Sequence, residues 1–405
     1  MRVPLASSGL RAEDIDSAIE VLRSGNLTMG SKVKAFESAV ASYLGSKEFV
    51  MMNSGSSANL AIFEALLRPS LGEPKLSQGD GVLVPAIAWP TTIWPILQLG
   101  LRPIFVDIDM KTFGLDLELA QRAINTSKIP VKAIFPIHPL GRALSGQKLQ
   151  DFATVNNLIL VHDVCESLGS WQNGRHTGTN GLAASFSFYF SHHITTMEGG
   201  GVATNDSSFA NDLRSIRSHG WSRDRADVED WTKNVTNNDA KFLFVSAGYN
   251  VRPMEIQAAI GIGQIRDVDN FIIRRRAIAQ RVNEALSDTH LHLVGSETLA
   301  RPDLQKEHSW MLLPITCKGN NPIKMKHSVI AYLEEKGIET RPVLTGNFLD
   351  QPAMRKIYAD SPDPRNFPNA DAISATSFMV GAHHDLSEDQ IAHLTAHLRS
   401  AGLQN

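Results

Sequence analysis

Cysteine is nearly absent from these 405 residues, which hold only Cys165 and Cys317. An ordinary iron–sulfur cluster takes four ligands, mostly Cys, and a disulfide framework takes more pairs, so neither is expected and the cytoplasm is the expected compartment. Charge of one sign is scarce too. The formal net charge of -3 gives no reason to expect a nucleic-acid or membrane partner. Long apolar runs are missing. The longest stretch free of Asp, Glu, Lys, Arg and His, residues 81–101, is interrupted by Pro85, Pro90 and Pro95 and reads as strand, loop and helix rather than as a membrane span. The opening, MRVPLASSGLRAEDIDSAI, lacks the apolar core of a signal peptide. There is no internal repeat and no low-complexity linker. Lysine is missing between Lys148 and Lys233.

What is present describes a packed globular chain. Hydrophobic residues make up 42%, enough for a globular core, and the length suggests two domains. Up to about residue 260, short apolar runs alternate with amphipathic ones. GVLVPAI (81–87), RPIFVDID (102–109), VKAIFPIHP (131–139), LILVHDV (158–164) and AASFSFYF (183–190) read as buried strands. Helical patterns over Ser57–Leu67 and Asp116–Ile124 fall between them. This alternation predicts a mostly parallel sheet covered on both faces, with the ligand beyond the carboxyl ends of the strands. After about residue 265 the pattern changes. A charged helix over Asp267–Ser287, WMLLPITC (310–317), a helix near His327–Lys336, GIETRPVL (337–344) and a final helix from Ser387 suggest a smaller α+β domain. The expected division is 1–265, a large α/β domain that carries this ligand site, and 266–405, a small C-terminal α+β domain.

Four features could carry chemistry. NSGSSANL (53–60) opens a helix whose first amides, at Gly55 and Ser56, suit a phosphate; it also reads as an ordinary N-cap. VHDVCES (161–167) places Asp163 at a strand end with Glu166 close behind; a capping aspartate is the plainer reading. Trp89 follows a strand, where its face could stack on a flat ring or simply fill the core. His192 and His193, in SFSFYFSHHITTMEGGG (185–201), are either loop residues or a base. No partner Cys or His stands at metal-ligand spacing. Their order along one chain carries more weight than any one of them.

That order is recognisable. PLASSGL, LTMGSKVKAFESAVASYLG (27–45), SGSSANL, VPAIAWPTT, FVDIDMKTFGLD, HDVCESLG, the EGGG loop, RSHGW (217–221) and GYNVRPMEIQAAIG (248–261) together resemble the DegT/DnrJ/EryC/StrS sugar aminotransferase family over nearly the whole length. The resemblance implies the fold-type I, aspartate aminotransferase-like α/β fold of pyridoxal phosphate enzymes. Members of this family usually carry, six residues before the glutamate of the EGG triplet, a lysine that binds the cofactor as an imine. Here that position is His192. Imidazole forms no stable imine with an aldehyde, whereas a lysine amine does. The SHHI-TMEGG context and the RP-TGNF segment (Arg341, Pro342, Thr345, Gly346, Asn347, Phe348) resemble the lysine-less 3-dehydratase branch.

The branch implies non-covalent pyridoxamine or pyridoxal 5′-phosphate and a nucleotide-linked 4-keto-6-deoxy sugar, with GDP-4-keto-6-deoxy-D-mannose first. Its 3-hydroxyl is removed, and glutamate regenerates the cofactor. By resemblance, Gly55, Ser56 and Ser187 hold the phosphate. Asn250 reaches it from a second subunit, which makes the active unit a homodimer. Asp163 pairs with the ring nitrogen, Glu166 lies near the ring hydroxyl, Trp89 stacks and His192 is the base. His219, Arg252 and Arg341 line the substrate pocket. A related CDP-sugar branch uses an iron–sulfur cluster and a reductase; this chain lacks the cysteines for it. An aminotransferase using a lysine from elsewhere, or a non-catalytic binding or regulatory descendant, are the alternatives. The nucleotide and sugar configuration stay open at this level, as do the roles of Cys165 and Cys317.

Overall fold

The structure, a computed structural model, describes residues 1–233, 235, 239–358 and 366–403. Seven strands form the central sheet: β1 (Glu48–Met52), β2 (Gly81–Pro85), β3 (Arg102–Val106), β4 (Val131–Ile134), β5 (Ile159–Asp163), β6 (Ala183–Ser187) and β7 (Gly200–Thr204). Their spatial order is β1-β7-β6-β5-β4-β2-β3. Only β7 runs against its neighbours; the β6-β5, β5-β4, β4-β2 and β2-β3 pairs are parallel. The five runs read as strands from the sequence all lie here, each ending one to five residues earlier than read. β2 is buried at every position, as a strand covered on both faces should be.

Two strands escape the pattern reading. β7 begins with Gly200 and Gly201, which look like loop. A Cβ at Gly200 would sit 2.3 Å from the Gly55 amide nitrogen, and one at Gly201 would sit 2.5 Å from the Phe49 ring. Close approach of β7 to β1 and the following helix demands these glycines. The flanking helices include α1 (Gly55–Leu67), α2 (Pro90–Gln98) and α3 (Leu117–Thr126), the last capped by the Asp116 carboxylate on the Glu118 and Leu119 amides.

The charged helix expected over 267–287 is longer: α4 spans Glu255–Ala285. Its apolar first half, with Gly261 against the Phe36 ring, hides its start in the sequence. The division expected at 265/266 falls within this helix, which runs from one sheet to the other. The second sheet holds β8 (Leu291–Leu293), β9 (Leu312–Cys317), β10 (Thr340–Arg341) and β11 (Ser377–Gly381) in the order β8-β9-β11-β10, all antiparallel. Helices α5 (Pro322–Glu335) and α6 (Glu388–Leu403) pack on it. The N-terminus joins this unit: Val3 is buried in its core and bridges Ile338. Among the described residues, no helix is long and apolar enough to cross a membrane.

Candidate active site

The carboxyl ends of β1, β2, β4, β5 and β6 open on one cavity of about 660 Å³. Gly55, Ser56, Trp89, Asp163, Glu166, Ser187, His192 and Arg341 all line it. The C-terminal unit adds Met311, Glu339 and Leu344, and the N-terminus adds Leu5 and Ala6.

Ser54 starts α1 by accepting from the Ser57 amide (3.1 Å). The next amides, of Gly55 and Ser56, belong to the first turn, where no helical carbonyl reaches them. Gly55 must lack a side chain: a Cβ there would lie 2.6 Å from Ser187 Cβ and 2.9 Å from Cys165 Sγ. Gly55, Ser56 and half-buried Ser187 therefore form a small anion cradle at a helix N-terminus. Gly55→Ala should overpack this contact by about 1–3 kcal/mol and displace Ser187. The expected outcome is at least tenfold weaker pyridoxal phosphate binding by absorbance titration, with a lowered Tm.

Asp163 closes the cavity floor and is 4% exposed. Its Oδ2 accepts from Thr92 Oγ1 (2.8 Å) and Asn59 Nδ2 (3.1 Å), and its Oδ1 from the Cys165 amide (3.1 Å). Among the described residues no cation pairs with it. A buried carboxylate held only by neutral donors is short of a positive partner, and a protonated ring nitrogen supplies one. Thr92 and Asn59 were not singled out from the sequence, though both lie inside the quoted WPTT and SGSSANL motifs.

Trp89 is not a core residue. It is 46% exposed, caps α2 ahead of Pro90, and presents its indole to the cavity with the Arg341 guanidinium 5.6 Å from the ring centroid. Arg341 has no carboxylate partner among the described residues, so its charge is available to a ligand. The cradle, the carboxylate and the indole fit a phosphorylated pyridine.

Glu166 Oε2 accepts from the Leu140 amide at 2.8 Å. Burial pushes its carboxyl up from 4.5 to about 7, against the opposing pull of the Leu140 amide and Arg341, with Asp163 adding to the rise. A carboxyl raised on folding holds a proton that the unfolded chain has lost, so its stability contribution falls as pH rises from about 4.5 through 7. Glu166→Gln keeps an acceptor for Leu140. In cofactor-free protein, its Tm should exceed wild type at pH 8 and converge with it near pH 4.5 by thermal melts.

His192 sits in the turn after β6. Its Nδ1 lies 3.2 Å from the Ser187 carbonyl, which can only accept, so Nδ1 carries the hydrogen and Nε2 keeps its lone pair. Burial lowers the imidazole to about 4, offset in part by the Ser187 carbonyl and Asp163 and reinforced by Arg275 and Arg341. The ring is neutral at neutral pH and can act as a base. His193 points elsewhere: it is buried beside Arg275 and His383 outside this cavity. Cys165 lines the cavity, but burial and Asp163 hold its thiol well above the ordinary range, so it is no nucleophile at neutral pH.

Three residues expected at the site are absent from this cavity. His219 and Asn250 are exposed, Ser218 and Asn250 form a bridge, and Arg252 Nε donates to Asn250 Oδ1 at 3.0 Å.

A profile of the DegT/DnrJ/EryC1/StrS aminotransferase family matches residues 9–399. The GDP-4-keto-6-deoxy-D-mannose 3-dehydratase of Yersinia pseudotuberculosis is 38% identical over 388 residues, 95% of each chain. A solved GDP-4-keto-6-deoxymannose-3-dehydratase, a histidine-to-asparagine variant with bound GDP-perosamine, superposes with a TM-score of 0.88 at 35% identity, covering 98% of this chain and all of that one. A structure of that dehydratase with a trapped PLP–glutamate geminal diamine gives 0.85 at 34% identity, with 98% and 100% covered. With the site's geometry and a match across nearly the whole length, this chain belongs to the DegT/DnrJ/EryC1/StrS aminotransferase family.

Proposed function

We propose that the chain is a pyridoxamine 5′-phosphate-dependent 3-dehydratase that removes the 3-hydroxyl of a nucleotide-linked 4-keto-6-deoxy sugar, with GDP-4-keto-6-deoxy-D-mannose as first candidate. Glutamate regenerates the cofactor, and the pathway is deoxysugar biosynthesis for O-antigen in the cytoplasm. The observation that carries this reading is a neutral imidazole with a free Nε2 in a cavity whose described lining holds no lysine. An aminotransferase of the usual kind needs an amine there, and a merely binding descendant needs neither a buried, cation-less Asp163 nor a side-chain-free Gly55.

Gly55, Ser56 and Ser187 would hold the cofactor's phosphate, Asp163 its ring nitrogen, Glu166 its ring hydroxyl, and Trp89 its face. When bound, the cofactor supplies an amine that reacts with a carbonyl and a ring that stores an electron pair. The rest belongs to this chain. His192 takes a proton at Nε2 while Nδ1 stays fixed on the Ser187 carbonyl, and returns it to the departing 3-hydroxyl oxygen, the two-way role an imidazole suits at neutral pH. Arg341, unpaired beside Trp89, meets negative charge on the sugar nucleotide or on glutamate.

Asn250, His219 and Arg252 complete the site of a second subunit in a homodimer. Support comes from the exposure of His219 and Asn250, to which half-buried Arg252 donates, and from the aromatic surface beside them, where Trp221 stacks on Phe242 and Phe244, which are 67% and 53% exposed. The test is turnover of GDP-4-keto-6-deoxymannose with cofactor and glutamate, paired with borohydride treatment of the resting holoenzyme. The expected result is the 3-deoxy-4-keto product and no cofactor mass on the protein. A reducible protein–cofactor link in wild type sinks the reading.

A further inference from the structure

Arg275 is the middle of three consecutive arginines on α4. Its neighbour Arg274 pairs with Glu388 at 2.6 Å, whereas Arg275 is 2% exposed and has no ion-pair partner among the described residues. It is charged all the same: burial lowers its guanidinium only to about 10. A buried cation without a carboxylate is costly, so its contacts call for an explanation.

Those contacts are main-chain carbonyls from two separate segments. Nη2 donates to the His192 carbonyl at 3.2 Å, and Nη1 to Met311 at 2.9 Å and Trp310 at 3.5 Å. Trp310 lies at φ +52, a conformation that disfavours a large side chain, with its ring stacked on His308 at 3.7 Å. The next link continues into the active site: the Met311 amide donates to the Leu140 carbonyl (3.0 Å), and the Leu140 amide donates to Glu166 (2.8 Å). One guanidinium thus ties the His192 turn to the chain that holds Glu166.

We infer that Arg275 is a positioning residue for the reaction: it fixes the His192 turn and the Glu166 support in register, and its positive charge stands behind the turn that carries the His192 ring.

The groups facing His192 are few. The Ser187 carbonyl and Asp163 favour its protonation, and Arg275 and Arg341 oppose it. Glu166, Tyr189 and Glu198 share its cavity. Behind the turn, burial and Arg275 hold His193, His383 and His384 below their ordinary range, so no imidazolium there stands in for Arg275. Asp385 raises the proton affinity of Arg275 without reaching ion-pair distance.

This role rests on His192 being the base of the proposed dehydratase, so the test includes a readout independent of turnover. Protein labelled with 13C at histidine Cε1 is titrated by NMR, with His192→Asn identifying the His192 signal, in wild type, Arg275→Met and Arg275→Lys. Removing the positive charge should raise the His192 midpoint by about half a unit or more in Arg275→Met, while Arg275→Lys keeps it. An ammonium cannot span both carbonyl segments, so Arg275→Lys should lower kcat at least fivefold with KM within threefold. An unmoved midpoint in Arg275→Met, or one raised equally in both variants, overturns the inference. If Arg275→Met does not fold, Arg275→Lys decides: unchanged kcat overturns the inference, and the fivefold loss with a fixed midpoint supports it. Absence of turnover in wild type overturns the dehydratase reading and leaves the titration to judge Arg275.

Discussion

His192→Asn should lower dehydration by about 10²–10⁴-fold, the usual contribution of a positioned general acid–base, while cofactor affinity changes less than threefold. The asymmetry follows from the site's layout. The cradle at Gly55, Ser56 and Ser187 and the carboxylate of Asp163 are built by α1, β5 and β6, and no side-chain hydrogen bond connects them to the His192 ring; its Nδ1 contacts only the Ser187 main chain. Asparagine fits the turn, donates to the same carbonyl and carries no titratable lone pair. Stopped-flow product formation and an absorbance titration of the cofactor measure the two halves. Turnover near wild type in the variant removes His192 from the mechanism. The companion His192→Lys has an equally definite outcome. The burial and the Arg275 and Arg341 charges that depress the imidazole would depress an ammonium too, leaving a nucleophilic amine. Borohydride should then fix the cofactor to residue 192, detected by mass spectrometry, without restoring dehydration.

The residues that line this cavity floor were legible because each follows a strand in a way local sequence records. Asp163 ends LILVHD, Trp89 follows VPAIA, and SGSSANL opens a helix. What stayed hidden was set by contacts distant in sequence. Gly200 and Gly201 look like loop until Gly55 and Phe49 are placed against them. The three arginines 274–276 read only as part of a charged helix, yet the helical turn directs Arg275 inward while Arg274 meets Glu388. Thr92 and Asn59 are unremarkable until the fold brings them both to one oxygen of Asp163. Val3 and Ile338 meet across 335 positions of chain, and no local pattern signals that. His219, Asn250 and Arg252 lie outside the cavity lining, and no local pattern in their own segments signals that either.

Asp163→Asn tests the other end of the site, and a large loss is expected there for two additive reasons. The first is electrostatic. Asp163 is the buried negative charge on the cavity floor, and a ring nitrogen stays protonated only opposite such a charge; losing a preorganised electrostatic group of this kind lowers rates by about 10²–10³-fold. The second is hydrogen bonding. Both carboxylate oxygens accept, Oδ2 from Thr92 and Asn59 and Oδ1 from the Cys165 amide. An amide NH2 placed at either position must face a donor, because Asn59 Nδ2 cannot accept at one and the Cys165 N–H cannot accept at the other. One unsatisfied buried contact costs about 1–3 kcal/mol, so cofactor binding should weaken about tenfold as well. Thr92→Val separates the two causes. It removes one donor and leaves the charge, so it should weaken the cofactor less and keep most of the turnover. Single-turnover rates with saturating cofactor isolate the electrostatic part. A D163N protein that turns over at the wild-type rate under those conditions would show that the carboxylate serves the fold and not the reaction.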